Sequence, residues 1–473
     1  MRLRIQYAKI VIQKRKLVFT LYKKIKISYT HSMSELLSIP RQAERIRDVI
    51  RYIHMFKNAT VVIYIDDSLL DSPLFSSHIR DICLIHEAGL KVLIVPGARN
   101  RIDQVLANAH IEWRMHNSCR ITTEDAMPLI KMAAFDVSNR IMTALAGEKR
   151  TAVIGNWVRA RGKGVIDGFD YGTSGEIDKL QEESIQTILE KDFIPIFPCI
   201  GWSLTGKPYN ISSIQLAQQI AIHLKADKLF FMMPSVEISG NNFSIPEEIG
   251  VSHDNCVPAM NIEELDAFIT KNKDRNNSVL SLLELAKDAC LNGVSRVHII
   301  NSSLEGTLPC EIFSNLGSGT MIYKSNYGGI RPMTREDIPA ILNLIRPFVE
   351  RGILLPRSEQ QLQEQFQNYI VYEVDNGIRA CAALIPYEDT QMEISAVAVD
   401  ETFAHIGIGP KIINYLIEKA KVQKAKCVFV LTTQTADWFE KLGFKNSTVD
   451  SLPEKRKQLW TPNRGSKVFR LTF

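Results

Sequence analysis

No stretch of this 473-residue chain reaches eighteen uninterrupted apolar residues, so a membrane-spanning helix is not expected. The eight cysteines, at 83, 119, 199, 256, 290, 310, 381 and 427, include no CxxC pair and no Cys/His run. That spacing offers neither a structural metal site nor a disulfide framework, and scattered thiols of this kind serve as small buried hydrophobes in a reducing cytoplasm. Internal repeats and low-complexity tracts are also missing. Acid is missing from the start of the chain: the first 33 residues carry nine Lys/Arg and no Asp or Glu, against a whole-chain net charge of +5. The remainder is therefore net acidic by four charges, which gives no reason to expect a nucleic-acid partner. What is present is an ordinary globular composition, with 45% apolar and 23% charged residues. It excludes wholesale disorder, and the length fits two or three domains.

Residues 1–32 form a basic leader that alternates charge with β-branched residues and lacks the apolar core of a signal peptide. Two readings stay open: a flexible basic arm, or translated sequence ahead of a true start at Met33. Either one predicts poor order there. From Met33 the segment SELLSIPRQAERIRDVIRYIHMF has helical character.

Between residues 60 and 330 short β-rich runs alternate with amphipathic stretches. Strands are expected at 59–65, 91–97, 151–155, 193–201, 228–233 and 296–301, with helices through FSSHIRDICLIHEAGL and RNRIDQVLANA. Apolar strands separated by helices predict a mostly parallel sheet covered on both faces, with ligands beyond the carboxyl ends of the strands. TMIYKSNYGGI (320–330) reads as a linker, with Asn326, Gly328 and Gly329 as turn residues. The pattern then changes to α+β. A strand and helix in IRPMTREDIPAILNLIRPFVERGIL precede a hairpin around Asn376–Gly377, a strand MEISAVAVD, an amphipathic helix KIINYLIEKAKVQKA, a strand CVFVLTT and a short helix ending at Gly443. The expected organisation is a leader (1–32), an α/β domain (33–325) and a smaller α+β domain (326–473).

One constellation in the second domain carries chemistry. The strand with an embedded acid, Glu393, runs into the turn HIGIG (405–409), which opens a helix. Free amides at a helix start, with glycines admitting a ligand, suit a pyrophosphate. A GxG turn alone marks little more than a tight turn. The order strand, glycine turn, helix, strand, WFEKLGF is more specific, and it resembles the GCN5-related N-acetyltransferase fold. In that fold the strand holding Ala396–Val399 pairs with the pantetheine arm of acetyl-CoA and the following loop cradles its pyrophosphate. The chain supplies Gly407 and Gly409 but has Ala404 where that family places a basic or amide residue, which predicts weaker CoA binding.

LIRPFVERGILLPRS, CAALIPY, MEISAVAV, FVLTTQTADWFEKLGF and SLPEKRKQLWTPNRGSKVF together resemble the bacterial N-acetylglutamate synthase family. LIHEAGLKVLIVPGARNRID is similar to that family's amino-acid-kinase-like domain, so the resemblance spans about 45–473. It implies a doubly wound amino-acid-kinase-like domain followed by an acetyltransferase domain. The implied reaction is acetylation of L-glutamate by acetyl-CoA in a ternary complex, the first step of arginine biosynthesis, with no metal. By position it implies Glu393 as general base, and Arg357, Arg464 and Ser466 as ligands of the glutamate carboxylates. Thr432 would hydrogen-bond the departing sulfur. Val397, Ala398 and Val399, with Gly407 and Gly409, would line the acetyl-CoA site. Such chemistry fits the residue types: a dianion needs cations, and an ammonium must lose its proton before it attacks. Trp438 and Phe439 read as core.

Amino-acid kinases hold nucleotide phosphates with a KxGG-type loop. Here the equivalent IYIDDSL has no lysine, and Asp66–Asp67 replace the glycines, so phosphoryl transfer is not expected. In the resembled family this domain senses arginine and builds oligomers, often hexamers. Tyr52 matches the family's tyrosine at the arginine site, Lys91 replaces its arginine, Asp48 a histidine and Glu87 a small residue; the GAR turn at Gly97–Arg99 is kept. Alternatives stay open: an arginine-binding regulator with a decayed acetyltransferase domain, a kinase–acetyltransferase fusion, or an N-acetyltransferase for another amino acid such as aspartate.

Overall fold

The computed structural model describes residues 46–473 apart from 48, 51, 117–118, 248, 253, 275–276, 314–316, 325–327, 375–376, 402, 404–406 and 462–463. The leader, the turn residues Asn326 and Asn376, and the substitutions Asp48 and Ala404 lie outside the described residues. The described part of 46–55 is helical, and Tyr52 stacks on Phe56 with ring centroids 6.0 Å apart.

From Thr60 onward the chain builds an eight-stranded sheet. Its central strands, Thr60–Ile65 and Lys91–Pro96, are runs of Val, Ile, Leu and Tyr with every residue after the first buried. Such runs suit a strand covered on both faces. Lys228–Met233 and Arg296–Asn301 flank them on one side, and Ile194–Ile196 and Ala152–Ile154 on the other, all parallel. The far edge reverses, because Thr320–Tyr323 runs antiparallel to Arg296–Asn301. That strand corrects the linker reading of 320–330. All four of its residues are buried, and the second sheet already begins at Gly328–Pro332. The expected strand at 193–201 is two strands in different sheets, Ile194–Ile196 and Ile200–Trp202, separated at Pro198, which lacks an amide to donate. A further four-stranded sheet, Pro208–Asn210, Ile200–Trp202, Val158–Gly162 and Gly175–Leu180, was not anticipated. Its strands are short, and three of them contain glycine.

The C-terminal sheet has seven strands in the order Gly328–Pro332, Tyr369–Val374, Gly377–Pro386, Gln391–Val399, Cys427–Thr432, Lys467–Thr472 and Lys445–Ser447. Neighbours are antiparallel except at the centre, where Gln391–Val399 and Cys427–Thr432 run parallel. Their pairing stops at Glu393 opposite Phe429, and both strands continue unpaired to each other beyond it. The sheet therefore forks at its middle. On the other side of Gln391–Val399 a bulge interrupts the ladder between Cys381 and Ala383, and Ala396 takes φ +51°. A non-glycine residue in the left-handed region costs about 1–2 kcal/mol, so the surrounding packing must hold this bend. Helix Ile408–Val422 covers one face of the sheet with Ile412, Ile413, Leu416, Ile417 and Ala420 buried; helix Ile338–Glu350 buries Ile338, Ile341 and Ile345.

Candidate active site

The fork opens onto a cavity. Glu393 stands at its floor, the last residue of the parallel pairing, and is 5% exposed. Its Oε2 accepts two hydrogen bonds, from the Tyr387 hydroxyl at 2.9 Å and from Arg456 Nε at 2.8 Å. Among the described residues no donor reaches Oε1, which leaves that oxygen for a ligand. Burial, and then the adjacent carboxylate, push the Tyr387 hydroxyl well above the usual tyrosine range, so it stays a donor. Strands disfavour acids unless something satisfies them, and here two donors do.

Arg357, Arg464 and Ser466 line the same cavity, as do Ser395, Leu431 and Trp460. The polar PRSEQ stretch delivers Arg357 because Ser358 caps the following helix through a capping box. Arg357 Nε donates to the Tyr369 hydroxyl at 3.4 Å. Arg464 Nη2 donates to the Ile353 carbonyl at 2.7 Å. Burial, followed by repulsion from Arg357 and Arg456, holds the Arg464 guanidinium below its ordinary range. Three guanidiniums therefore face one carboxylate in this cavity. Two positive charges are left unbalanced, which is the electrostatic complement of a dicarboxylate. Sequence reasoning missed Arg456 and Tyr387; Arg456 sits in a lysine-rich helical turn, Glu454–Gln458, that reads as solvated surface.

Thr432 ends the other arm of the fork and is 8% exposed. Its Oγ1 lies 2.7 Å from Thr435 Oγ1 and accepts from the Thr435 amide at 3.0 Å, outside the lining of the cavity. Val397 and Val399 pack on the C-terminal core while Ala398 is buried on the opposite face. Gly407 is the N-cap of helix Ile408–Val422 with φ +74°. Gly409 lets Trp438 approach: a Cβ there would lie 3.1 Å from Trp438 Cζ2. Phe439 is buried in the same core. The structure thus brings Glu393, Arg357, Arg464 and Ser466 to one cavity and sets Thr432, Gly407 and Gly409 outside its lining.

Residues 59–301 match the amino acid kinase family, and residues 365–446 match the acetyltransferase (GNAT) domain. The chain is 34% identical over 426 residues to the amino-acid acetyltransferase of Actinobacillus pleuropneumoniae serotype 7 (strain AP76), covering 88% of this chain and 95% of that one. It is likewise 34% identical over 435 residues to the Escherichia coli (strain K12) amino-acid acetyltransferase, covering 90% and 96%. The chain belongs to the amino-acid acetyltransferase family. A solved member of similar fold is N-acetylglutamate synthase from Neisseria gonorrhoeae complexed with coenzyme A and L-arginine. It superposes with a TM-score of 0.76 at 28% identity, covering 91% of this chain and 99% of that one.

The kinase-like lobe of this amino-acid acetyltransferase shows why its first loop differs from a phosphate cradle. Asp67 accepts hydrogen bonds from the amides of Asn100 at 2.6 Å and Arg101 at 3.2 Å. An internal carboxylate therefore occupies the start of helix Arg99–Asn108, where an anion would otherwise be drawn. Burial pushes the Asp67 carboxyl up from the usual aspartate range, against the pull of those amides. Gly97 of the GAR turn is structural: a Cβ would lie 2.7 Å from the Tyr64 hydroxyl. Lys91 opens its strand half-buried, Glu87 pairs with Arg150, and Tyr52 is buried. A pair not singled out from sequence joins His298 Nδ1 to Glu311 Oε1 at 2.7 Å, each side chain 3% exposed. Glu311 also accepts from the Gly319 amide at 2.8 Å. Among the described residues no group of His, Cys, Asp and Glu could hold a metal ion, and no helix is long and apolar enough to cross a membrane.

Proposed function

We propose that this enzyme transfers the acetyl group of acetyl-CoA to the amino group of L-glutamate, by direct attack in a ternary complex. One observation carries the choice of acceptor: three guanidiniums and a single carboxylate share the cavity at the fork. Arg357, Arg464 and Ser466 hold the two carboxylates of the substrate, Arg by its planar fork. Glu393, oriented through Oε2 by Tyr387 and Arg456, takes the ammonium proton on Oε1, directly or through a water. The freed nitrogen then bonds to the thioester carbon as the carbon–sulfur bond breaks. The amides of Val397 and Val399 polarise the thioester carbonyl, and the Thr432 hydroxyl donates a hydrogen bond to the departing sulfur, which leaves as the thiol with the proton that the acylated nitrogen gives up. The helix start at Gly407 and Gly409, with its left-handed cap and absence of side chains, fits the pyrophosphate of the co-substrate.

The kinase-like lobe is read as a sensor that binds arginine as feedback inhibitor. The Neisseria gonorrhoeae enzyme, solved with coenzyme A and L-arginine, supports that reading. Division at 33–325 and 326–473, homo-oligomeric assembly up to a hexamer, and a cytoplasmic setting belong to the same reading; the eight free cysteines suit a reducing compartment. The test is thiol release from acetyl-CoA with a panel of amino acids. Glutamate is expected to turn over and aspartate to lag well behind it. A preference for an uncharged amino acid, or no release with any, would overturn the proposal.

A further inference from the structure

Among the described hydroxyls that line the cavity, Ser395 stands out because the reaction scheme does not use it and its Oγ is buried without a partner. Side chains alternate along a strand, so residues 393 and 395 point to the same face, about 7 Å apart along the backbone. Ser395 follows the last parallel pair, Glu393 opposite Phe429, and precedes the left-handed Ala396. It lines the same cavity as Glu393, Arg357 and Arg464. Its Oγ is buried and makes no hydrogen bond among the described residues. Buried hydroxyls are nearly always satisfied, and an orphan on a residue that lines a ligand cavity is a group available to the ligand.

We infer that Ser395 contacts the acceptor amino acid directly, its Oγ accepting a hydrogen bond from the substrate nitrogen. This rests on the acetyltransferase reading above. The hydroxyl lies on the strand between Glu393, which takes the proton of that nitrogen, and Val397–Val399, where the thioester is read to enter. A nitrogen held between them reaches both. In that reading the carboxylates of the substrate have guanidiniums, whereas its ammonium has three N–H donors and Glu393 as the one acceptor so far assigned to it. Ser395 supplies the second.

The experiment compares the full-length protein with Ser395→Ala, using glutamate, acetyl-CoA and glutarate, a dicarboxylate without the amine, as competitive inhibitor. The expected result is a KM for glutamate raised about five- to twentyfold, with acetyl-CoA KM and glutarate Ki each within twofold of wild type. Thermal stability of the ligand-free variant should be unchanged or higher, because no hydrogen bond of the free protein is lost. Unchanged glutamate kinetics would overturn the inference. So would a glutarate Ki that rises in step with KM, which places the hydroxyl on a carboxylate, or a fall in Tm with kinetics intact, which makes it structural. Failure of the wild-type protein to acetylate any amino acid overturns the acetyltransferase reading itself and is read separately.

Discussion

At the scale of single residues, Glu393, proposed as the base, is held in place by Tyr387 and Arg456. Substitution to Gln removes the proton acceptor while keeping shape, and is expected to lower acetylation roughly 100- to 10,000-fold with acetyl-CoA binding by calorimetry within about twofold. Arg456→Ala has a different signature. It strips the cation from a carboxylate that is 7% exposed, so unfolding in denaturant should show a loss of about 3 kcal/mol alongside the loss of activity. Retention of both stability and rate in that variant would mean the pair is incidental. His298 gives a third test. Burial, against the attraction of Glu311, lowers its pKa to about 4 from 6.5, so the unfolded chain binds the proton first. The stability from keeping it neutral is whole above pH 6.5 and is lost as pH falls towards 4, at about 1.4 kcal/mol per pH unit and on the order of 3 kcal/mol in all. Glu311, whose own pKa is lowered, adds acid sensitivity in the same direction. Thermal melts from pH 7 to 4.5 should fall more steeply for wild type than for His298→Gln. That Glu393, Arg357 and Arg464 come together in one cavity was legible in the sequence because their motifs are. Arg456, Tyr387 and Ser395 were not, because a residue that matters through what folds against it leaves no local pattern.

At the scale of elements, the working part is the failure of two strands to stay paired. Periodicity marks Gln391–Val399 as a strand but says nothing of where its pairing ends. The fork depends on the bulge opposite Cys381 and on the bend at Ala396, neither of which has a glycine or proline to announce it. Ala396→Gly should leave stability within about 1 kcal/mol, relief of the left-handed strain offsetting the freer unfolded chain. Ala396→Val, a β-branched residue at the same φ, should lower Tm and activity together. Equal Tm values for the two variants would remove the bend as a cause of the fork. The same blindness explains the misreading of 320–330. Its glycines do mark a boundary, but the run before them is apolar enough to complete the first sheet, and burial rather than turn chemistry decided its fate. The body of helix Ile408–Val422 was legible, since its apolar face repeats at helical spacing, although the stretch KIINYLIEKAKVQKA runs three residues past its end.

At the scale of the whole molecule, a ligand sensed by the kinase-like lobe can influence acetyl transfer only through contacts that cross to the second sheet. One such contact is well defined. Glu264 Oε2 accepts from the Asn261 amide at 2.9 Å in the capping box of helix Ile262–Lys271, and its Oε1 lies 2.7 Å from Lys411 Nζ. Lys411 stands in the first turn after Gly407, and a Cβ on Gly407 would lie 3.7 Å from Gly250 Cα of the kinase-like lobe. The helix start read as the pyrophosphate site is therefore braced from the other lobe by this ion pair and lies close to it at Gly250. The pair is largely shielded, with side-chain exposures of 32% and 11%, so it is stiffer than a surface ion pair. If arginine and acetyl-CoA are coupled through this brace, each must alter the affinity of the other by the same factor, because binding free energies are reciprocal. For wild type a difference of about fivefold or more is expected between arginine Kd values measured by calorimetry with and without coenzyme A. In Lys411→Met the two values should converge to within twofold, while activity without arginine changes little. A variant that keeps the full difference would show that the coupling runs by another route.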